Sequence, residues 1–240
     1  MTWLTPDWPA PASVKACVTT RAGGVSVAPF DSLNLGDHVE DNPEAVAENR
    51  RRLTDHFSIQ PAWLQQVHGV AVAGADPTQV IKADASWTAT PGIACAVMTA
   101  DCLPALFCDR AGTRVAAAHA GWRGLAAGVL EATLDSLAVE PSEVLVWLGP
   151  AIGPNAFEVG PEVREVFIEQ LPQAEQAFVP SINAGKFMAD IYQLARLRLA
   201  ARGVTAVYGG GFCTVSDPRF FSYRRASRTG RFASLIWLER

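Results

Sequence analysis

Histidine is scarce in this chain, and so are the sequence features that mark secreted, membrane-spanning or disulfide-linked proteins. The 240 residues include four histidines and five cysteines, and no two cysteines form a Cys-X-X-Cys pair. No run of about 18 uncharged apolar residues occurs, which argues against a transmembrane helix. The opening segment MTWLTPDWPA lacks the basic and apolar regions of a signal peptide. We therefore predict a cytoplasmic protein with reduced cysteines and no membrane partner.

Long basic runs are also missing. The formal net charge is −4, and the densest basic segment, residues 223–228, is short and lies between apolar residues. Nucleic acid is therefore not an expected partner. The composition, 49% hydrophobic and 18% charged, is typical of a globular protein. With no internal repeat and no linker, residues 1–240 are predicted to form one domain.

Short apolar runs alternate with amphipathic segments along the chain. Strands are predicted at 13–20, 63–72, 93–99, 104–108, 114–119, 144–148, 204–208 and 233–238. Helices are predicted at 43–57, 124–137, 161–171 and 186–201. Several strand runs are continuously apolar, as in strands that are buried on both faces. This alternation predicts a layered α/β fold.

Three chemically distinctive side chains lie in or just after predicted strands. His68 lies in QQVHG, Cys102 in TADCLP and His119 in AAAHAGWRG. In open α/β sheets, ligands bind at the ends of strands. Two imidazoles and one thiolate, with a fourth position left open, are the pattern of a catalytic zinc site. Zinc bound in this way lowers the pKa of a coordinated water toward about 7.

The intervals between these residues carry no local zinc signature, so two other interpretations stay open. Cys102 as a thiolate nucleophile, with His119 as its base, would make a cysteine hydrolase. Each residue taken alone also fits an ordinary packed or hydrogen-bonded position in a non-catalytic binding module.

Arginines beside glycines form a second candidate group. Arg21 precedes a Gly-Gly turn, Arg123 opens a predicted helix, Arg224 and Arg225 lie in SYRRAS, and Arg231 follows Gly230. Together they could hold a phosphate through bidentate hydrogen bonds. Taken singly, each is equally compatible with ion pairing at the surface.

Long motifs in the chain resemble those of the YfiH-like family, also called the laccase-domain or multicopper polyphenol oxidase family. They are TRAGGVSVAPFDSLNLGDHVEDNPEAVAENRRRL, WLQQVHG, MTADCLPALFCD, AAAHAGWRGLAAGVLE, LGPAIGPNAFEVG and FFSYRRASRTGRFASLIWL. They cover nearly the whole chain in the family's order. The resemblance implies an α/β (α+β) fold of three α/β/α layers with mixed β-sheets, similar to the catalytic domain of cytotoxic necrotizing factor toxins.

The resemblance also implies a chemistry. It implies zinc held by His68, Cys102 and His119, phosphorolysis of adenosine, inosine and S-methyl-5′-thioadenosine, and deamination of adenosine. Purine nucleosides and phosphate are then the expected partners. For deamination, our own candidate for the acid that transfers a proton is Glu158. A role in peptidoglycan editing is attached to some members, which would suit a hydrolase acting on an amide bond of cell-wall precursors. The candidate substrate-binding residues are Arg21, Asn34, Arg123, Arg225 and Glu158.

The chain departs from the family's motifs at three positions. Asn155 and Phe157 stand where the family has cysteine and tyrosine, and Ala226 stands where it has an acid. The trio of metal-ligand candidates is untouched. Copper remains compatible with the trio, but four histidines are too few for a laccase-type multicopper cluster, because imidazole is the usual copper ligand.

Overall fold

The computed structural model describes residues 1–239. Its α-helices are α1 (Pro43–Phe57), α2 (Trp122–Ala127), α3 (Val129–Leu137), α4 (Pro161–Gln170) and α5 (Ile191–Ala201). Its strands are β1 (Trp3–Leu4), β2 (Val14–Thr19), β3 (Gln60–Ala62), β4 (Leu64–Gln65), β5 (Val72–Gly74), β6 (Ile81–Lys82), β7 (Ala85–Thr88), β8 (Ile93–Thr99), β9 (Leu103–Asp109), β10 (Val115–Ala120), β11 (Val144–Leu148), β12 (Glu158–Val159), β13 (Phe178–Pro180), β14 (Phe187–Ala189), β15 (Ala206–Gly209) and β16 (Phe232–Leu238). Short 3-10 helices occur at Pro141–Glu143 and Pro172–Ala177. In this part of the chain, no helix has the length and apolar character needed to cross a bilayer.

Two mixed sheets form the centre of the fold. The first has the strand order β1-β2-β16-β8-β3, and the second has the order β15-β11-β9-β10-β7-β5. Most neighbouring strands are antiparallel, but β3 and β8, β5 and β7, and β11 and β15 run parallel. Smaller sheets join β12, β14 and β13, and β4 with β6.

The two large sheets pack face to face, and helices cover their outer faces. Val97 and Ile236 of the five-stranded sheet meet Leu106 and Val115 of the six-stranded sheet in one buried cluster. Helix α1 packs on the outer face of the first sheet, and α2 to α5 pack on the outer face of the second. Each fully buried aliphatic side chain contributes roughly 1.5–3 kcal/mol. The expected mixed α/β/α fold is confirmed, with a β layer that is two sheets thick.

The strand predicted at 63–72 is wrong. Only Leu64–Gln65 and Val72–Gly74 are strands, at its two ends. Between them, backbone N–H groups of residues 67–69 donate to the carboxylate of Asp84 instead of to a neighbouring strand. His68 has a φ of 61°, in the left-handed region. The side chain of Asp84 therefore turns this segment into the loop that carries His68.

Two helix predictions also need correction. The segment 124–137 is not one helix, because Gly128 (φ 105°) ends α2 and separates it from α3. The helix predicted to begin at 186 begins at Ile191 instead. The Asp190 side chain caps α5 by accepting hydrogen bonds from two backbone amides, and Phe187–Ala189 just before it is a strand. The helices predicted at 43–57 and 161–171 are confirmed to within one residue.

Candidate metal centre and its cavity

Three segments bring the predicted trio together. His68 comes from the loop between β4 and β5, Cys102 from the turn between β8 and β9, and His119 from the last residues of β10. The ligand atoms of all three lie within 4.8 Å of one another. His68 Nε2 is 3.7 Å from Cys102 Sγ, and the two imidazole rings are 4.7 Å apart, edge to face.

Asp84, a residue that the sequence did not single out, fixes two of the three ligands. Its fully buried carboxylate lies 2.8 Å from His119 Nδ1. It also accepts hydrogen bonds from the backbone N–H groups of His68 (2.9 Å) and Gly69 (2.7 Å). Because Nδ1 of His119 is engaged by this carboxylate, Nε2 is left to act as a ligand. No local pattern in KADAS distinguishes Asp84 from a surface aspartate.

Cys102 and His119 influence each other's ionisation. Burial raises the pKa of the Cys102 thiol, but the charges and hydrogen bonds of His119 and His68 outweigh it and bring that pKa to about 6. Burial lowers the pKa of His119, but Cys102 and Asp84 outweigh it and raise that pKa to about 9. At neutral pH the sulfur is therefore held as the thiolate, which is the form that binds metal.

Glycines in the segment HAGWRG let the backbone approach the trio. A Cβ atom at Gly121 would lie 2.8 Å from His68 Cδ2 and 3.0 Å from Cys102 Sγ. A Cβ atom at Gly124 would lie 2.8 Å from the carbonyl oxygen of Gly69. These three distances leave no room for a larger residue unless the surrounding atoms shift, so the two glycines allow α2 to start against the metal-ligand candidates.

The residues fit a zinc ion. Two imidazole nitrogens and one thiolate are borderline-soft donors of the kind that zinc prefers. A carboxylate behind one histidine is the usual outer support of such a site. Three protein ligands leave a coordination position for water or substrate, as in catalytic rather than structural zinc sites.

A cavity of about 470 Å³ opens beside the trio. That volume is in the range of small-molecule binding sites. Its apolar wall includes Met98, Trp122, Ile152, Phe157 and Ile191. Its polar and charged wall includes, besides the trio, His38, Gln66, Thr99, Asp101, Arg123, Tyr223, Arg224 and Arg231.

Only one of the three arginines chosen as substrate-binding candidates lines this cavity. Arg123 does so, stacked over the ring of Trp122 with its guanidinium carbon 4.3 Å from the ring centroid. Arg21 is placed elsewhere, because its guanidinium is paired with Asp31 at 3.0 Å.

Arg225 is also placed away from the cavity. Its guanidinium donates to the backbone carbonyls of Thr214 and Phe220, so it braces the C-terminal loop. The three candidate arginines thus have different surroundings and different roles.

Asn34 is not placed to contact a substrate. Its side chain is fully buried, and its amide bonds Gly36, the carboxylate of Asp41 and the backbone N–H of Arg231. The donors and acceptors of its amide are therefore already hydrogen-bonded within the protein.

The structure places Glu158, predicted as the proton-transferring acid, outside the cavity. Its carboxylate accepts hydrogen bonds from Ser181 and Asn183 and pairs with Lys186 at 3.2 Å, outside the cavity lining. Hydrogen bonds from Ser181 and Asn183, with help from Lys186, lower its pKa to about 2. A carboxyl group held in this way has no proton to give at neutral pH.

Of the three positions that depart from the family motifs, only one lies on the cavity wall. Phe157 is part of the cavity wall, so the absence of a tyrosine there removes a hydroxyl from the wall. Asn155 and Ala226 are exposed and do not line the cavity. Arg224 and Arg231 were grouped with the other arginines from the sequence but not chosen as substrate-binding candidates, and both line the cavity. His38, which sequence reasoning left out, lines it as well.

Residues 15–239 match the family described as multi-copper polyphenol oxidoreductase laccase. The chain belongs to this family. A family relative named purine nucleoside phosphorylase from Pseudomonas aeruginosa is 74% identical, with 99% of this chain and 98% of that protein aligned. Purine nucleoside phosphorylase YfiH of Escherichia coli is 57% identical over 98% of each chain.

Solved structures show the same fold. A Neisseria meningitidis protein is 55% identical and superposes with a TM-score of 0.97 over the whole of both chains. YlmD of Geobacillus stearothermophilus is 32% identical, with a TM-score of 0.92 over 100% of this chain and 97% of that one. The resemblance stated from the sequence motifs is thereby confirmed.

Proposed function

We propose that the protein is a zinc-dependent purine nucleoside phosphorylase that acts on adenosine, inosine and S-methyl-5′-thioadenosine and also deaminates adenosine. The observation that carries this proposal is the trio of His68, Cys102 and His119 at the wall of a cavity of about 470 Å³. Relatives that align over nearly their whole length and are named purine nucleoside phosphorylase support it.

The cavity suits a nucleoside and an anion. Trp122 and Phe157 offer aromatic surface to a purine base. Arg123, Arg224 and Arg231 give the polar wall an excess of positive charge. Phosphorolysis depends mainly on holding phosphate against the anomeric carbon of the ribose and on stabilising the departing base. Apolar walls exclude water, which would otherwise hydrolyse the same bond.

His68, Cys102 and His119 would hold the zinc ion. When bound, zinc supplies a Lewis acid beside the substrate. Asp84 keeps His119 in the tautomer and orientation that present Nε2 to the cavity.

Deamination also needs a group that moves a proton, and Glu158 does not reach the cavity. Among residues 1–239, Asp101 is the one carboxylate on the cavity wall, and both of its oxygens accept hydrogen bonds, from Thr214 and from the N–H of Arg224. His38, also on the cavity wall, is another candidate outside the trio. Burial and the charge of Arg231 lower its pKa, which keeps its imidazole neutral and able to accept a proton.

Replacing one ligand tests the metal's role. Cys102→Ala should remove zinc and phosphorolysis together, with zinc measured by mass spectrometry of the acid-digested protein. Cys213→Ala is the matched control, because Cys213 is a partly exposed thiol outside the cavity lining. It should keep both properties. A zinc-free Cys102→Ala protein with wild-type phosphorolysis would refute the metal's role.

A cysteine hydrolase is the second candidate, and one observation favours it. Cys102 has a pKa of about 6, and His119 is oriented by Asp84, which together resemble a nucleophile, base and carboxylate arrangement. Such an enzyme could act on amide bonds of peptidoglycan precursors. Iodoacetamide should label Cys102 at once in the purified protein if the thiolate is free. Protection of Cys102 until a chelator is added would instead support the zinc site.

A further inference from the structure

Arg231 brings an unneutralised cation to the cavity. It begins the segment leading into β16, and its side chain lines the cavity together with Cys102. Considering the part of the chain described here, no carboxylate lies within 4.0 Å of its guanidinium. The half-buried Arg50, in contrast, is paired with Asp37 at 3.3 Å.

The absence of a counter-ion has an energetic cost. Burial lowers the pKa of Arg231 below its ordinary value, and the more distant Cys102, Asp101 and Tyr223 only partly restore it. A desolvated cation without a partner destabilises a fold unless something else compensates it. Such imbalances are concentrated at binding and catalytic sites.

The side chain of Arg231 is held firmly in this costly position. Asn34 Oδ1 accepts from the Arg231 backbone N–H at 2.8 Å, and the Leu35 N–H donates to the Arg231 carbonyl at 3.0 Å. A Cβ atom on Gly36 would lie 2.8 Å from Arg231 Cγ. Because glycine has no Cβ atom, there is room for the aliphatic part of the Arg231 side chain. Asn34 therefore serves to position Arg231 and does not need to touch a ligand itself.

One edge of the guanidinium is left for a ligand. Nη1 donates to the carbonyls of Thr229 and Gly230, both at 3.0 Å. Within residues 1–239, Nε and Nη2 have no hydrogen-bond acceptor. The Nε–Nη2 edge is the fork that binds two oxygens of a phosphate or carboxylate at once. Arg224, by comparison, uses its guanidinium on the carbonyls of Ala156 and Glu158.

We propose that Arg231 is the phosphate-binding residue of the cavity and that its Nε–Nη2 edge holds inorganic orthophosphate as the second substrate. This inference rests on the proposed phosphorylase function. An oxygen of the held phosphate forms a bond to ribose C1′ while the bond from C1′ to the purine nitrogen breaks. The electron pair of that bond leaves with the purine, which takes up the proton that the hydrogen phosphate gives up on becoming the ester. The products are the free base and ribose 1-phosphate.

The test uses the full-length, zinc-loaded protein and inorganic phosphate as the probe. Phosphate binding is measured by calorimetry with adenosine absent and present, and KM is measured separately for phosphate and for adenosine. Arg231→Gln should weaken phosphate binding and raise the phosphate KM by about 10- to 100-fold, as expected for losing a charged bidentate contact. The adenosine KM and the zinc content should stay near the wild-type values.

Two further variants separate loss of the contact from loss of the fold. Arg231→Lys keeps the charge but not the fork, so its loss of phosphate affinity should be smaller than that of Arg231→Gln. Arg228→Gln is the matched control, because Arg228 lies three residues earlier, is 64% exposed and does not line the cavity. It should leave phosphate binding unchanged. Thermal melting checks that all variants are folded.

The outcomes distinguish this inference from the proposed function. Wild-type phosphate affinity and phosphate KM in a folded Arg231→Gln protein would overturn the inference and leave the phosphorylase function standing. Phosphate binding that Arg231→Gln abolishes, without any phosphate-dependent product from the wild type, would support the anion site and refute the phosphorylase function. A wild-type protein that binds no phosphate in either condition would overturn the inference.

Discussion

Asp84→Asn is the substitution whose effect the structure defines best. It preserves size and shape but removes the charge and replaces one acceptor oxygen by an NH2 donor. Oδ1 of Asp84 faces the N–H of His68 and Nδ1 of His119, and Oδ2 faces the N–H of Gly69. Whichever way the new amide is turned, its NH2 group therefore faces at least one N–H donor.

The expected loss is large, because the site is fully buried. Each hydrogen bond to a charged group contributes about 1.5–3 kcal/mol, and breaking a buried charged network costs about 3–5 kcal/mol. We expect the free energy of unfolding to fall by about 3–5 kcal/mol on this basis. Because the loop carrying His68 and the ring of His119 both lose their support, zinc affinity should fall by about 10- to 100-fold.

The loss of stability should also depend on pH. Burial raises the pKa of Asp84, but hydrogen bonds from His119 and Gly69 outweigh it, so its net pKa is below the usual value. A carboxyl group with a lowered pKa stabilises the fold above its unfolded-state pKa, and this contribution disappears as the pH falls through the folded-state pKa. The advantage of the wild type over Asp84→Asn should be full above about pH 4 and shrink in more acidic solution.

Urea unfolding and zinc competition against a chelator measure the two losses. Asp109→Asn is the control, because Asp109 is also buried and accepts hydrogen bonds from Thr113 and Arg114, away from the trio. It should lose stability without losing zinc affinity. An Asp84→Asn protein with wild-type zinc affinity would refute the argument that this carboxylate supports the metal ligands.

Three further predictions concern the same site. Gly121→Ala should lower zinc affinity by placing a methyl group against two ligands, whereas Gly74→Ala, where a Cβ atom meets nothing within 4 Å, should not; equal zinc content in both would contradict this. In chelated protein, alkylation of Cys102 should reach half its maximal rate near pH 6, while Cys108, whose pKa burial raises to about 12, stays unmodified. Peptide mass spectrometry measures both, and labelling of Cys108 before Cys102 would contradict this. Glu158→Gln should leave adenosine deamination unchanged, because that carboxylate lies outside the cavity; a deaminase rate that collapses would restore Glu158 as the acid.

The buried strands were predictable because their signal is local. Runs such as 93–99 and 144–148 are continuously apolar, and they form central strands with the predicted bounds. The strand prediction for 63–72 is wrong because the side chain of Asp84, 16 residues away, accepts the backbone N–H of His68. The single helix predicted at 124–137 is wrong because the spacing of apolar residues does not show that Gly128 adopts a left-handed backbone conformation.

The trio could be found from sequence because few residue types bind zinc and all three lie at or close to the ends of strands. Asp84 could not, because its role depends on a contact with His119, far away in the chain. The sequence grouped Arg231 with the other arginines but could not select it, because its placement depends on a contact with Asn34. Arg21 was predicted to hold an anion but lies outside the cavity, because its guanidinium pairs with the carboxylate of Asp31, ten residues away in the chain. A motif shows that an arginine is present but does not show which way its side chain points.

The central claim is tested most directly by a product assay on protein of known zinc content. Adenosine is supplied with and without inorganic phosphate, and chromatography separates adenine, inosine and hypoxanthine. From protein with zinc close to one per chain, we expect adenine and ribose 1-phosphate only when phosphate is present, and inosine in either condition. A zinc-loaded protein that forms no phosphate-dependent product would contradict the account.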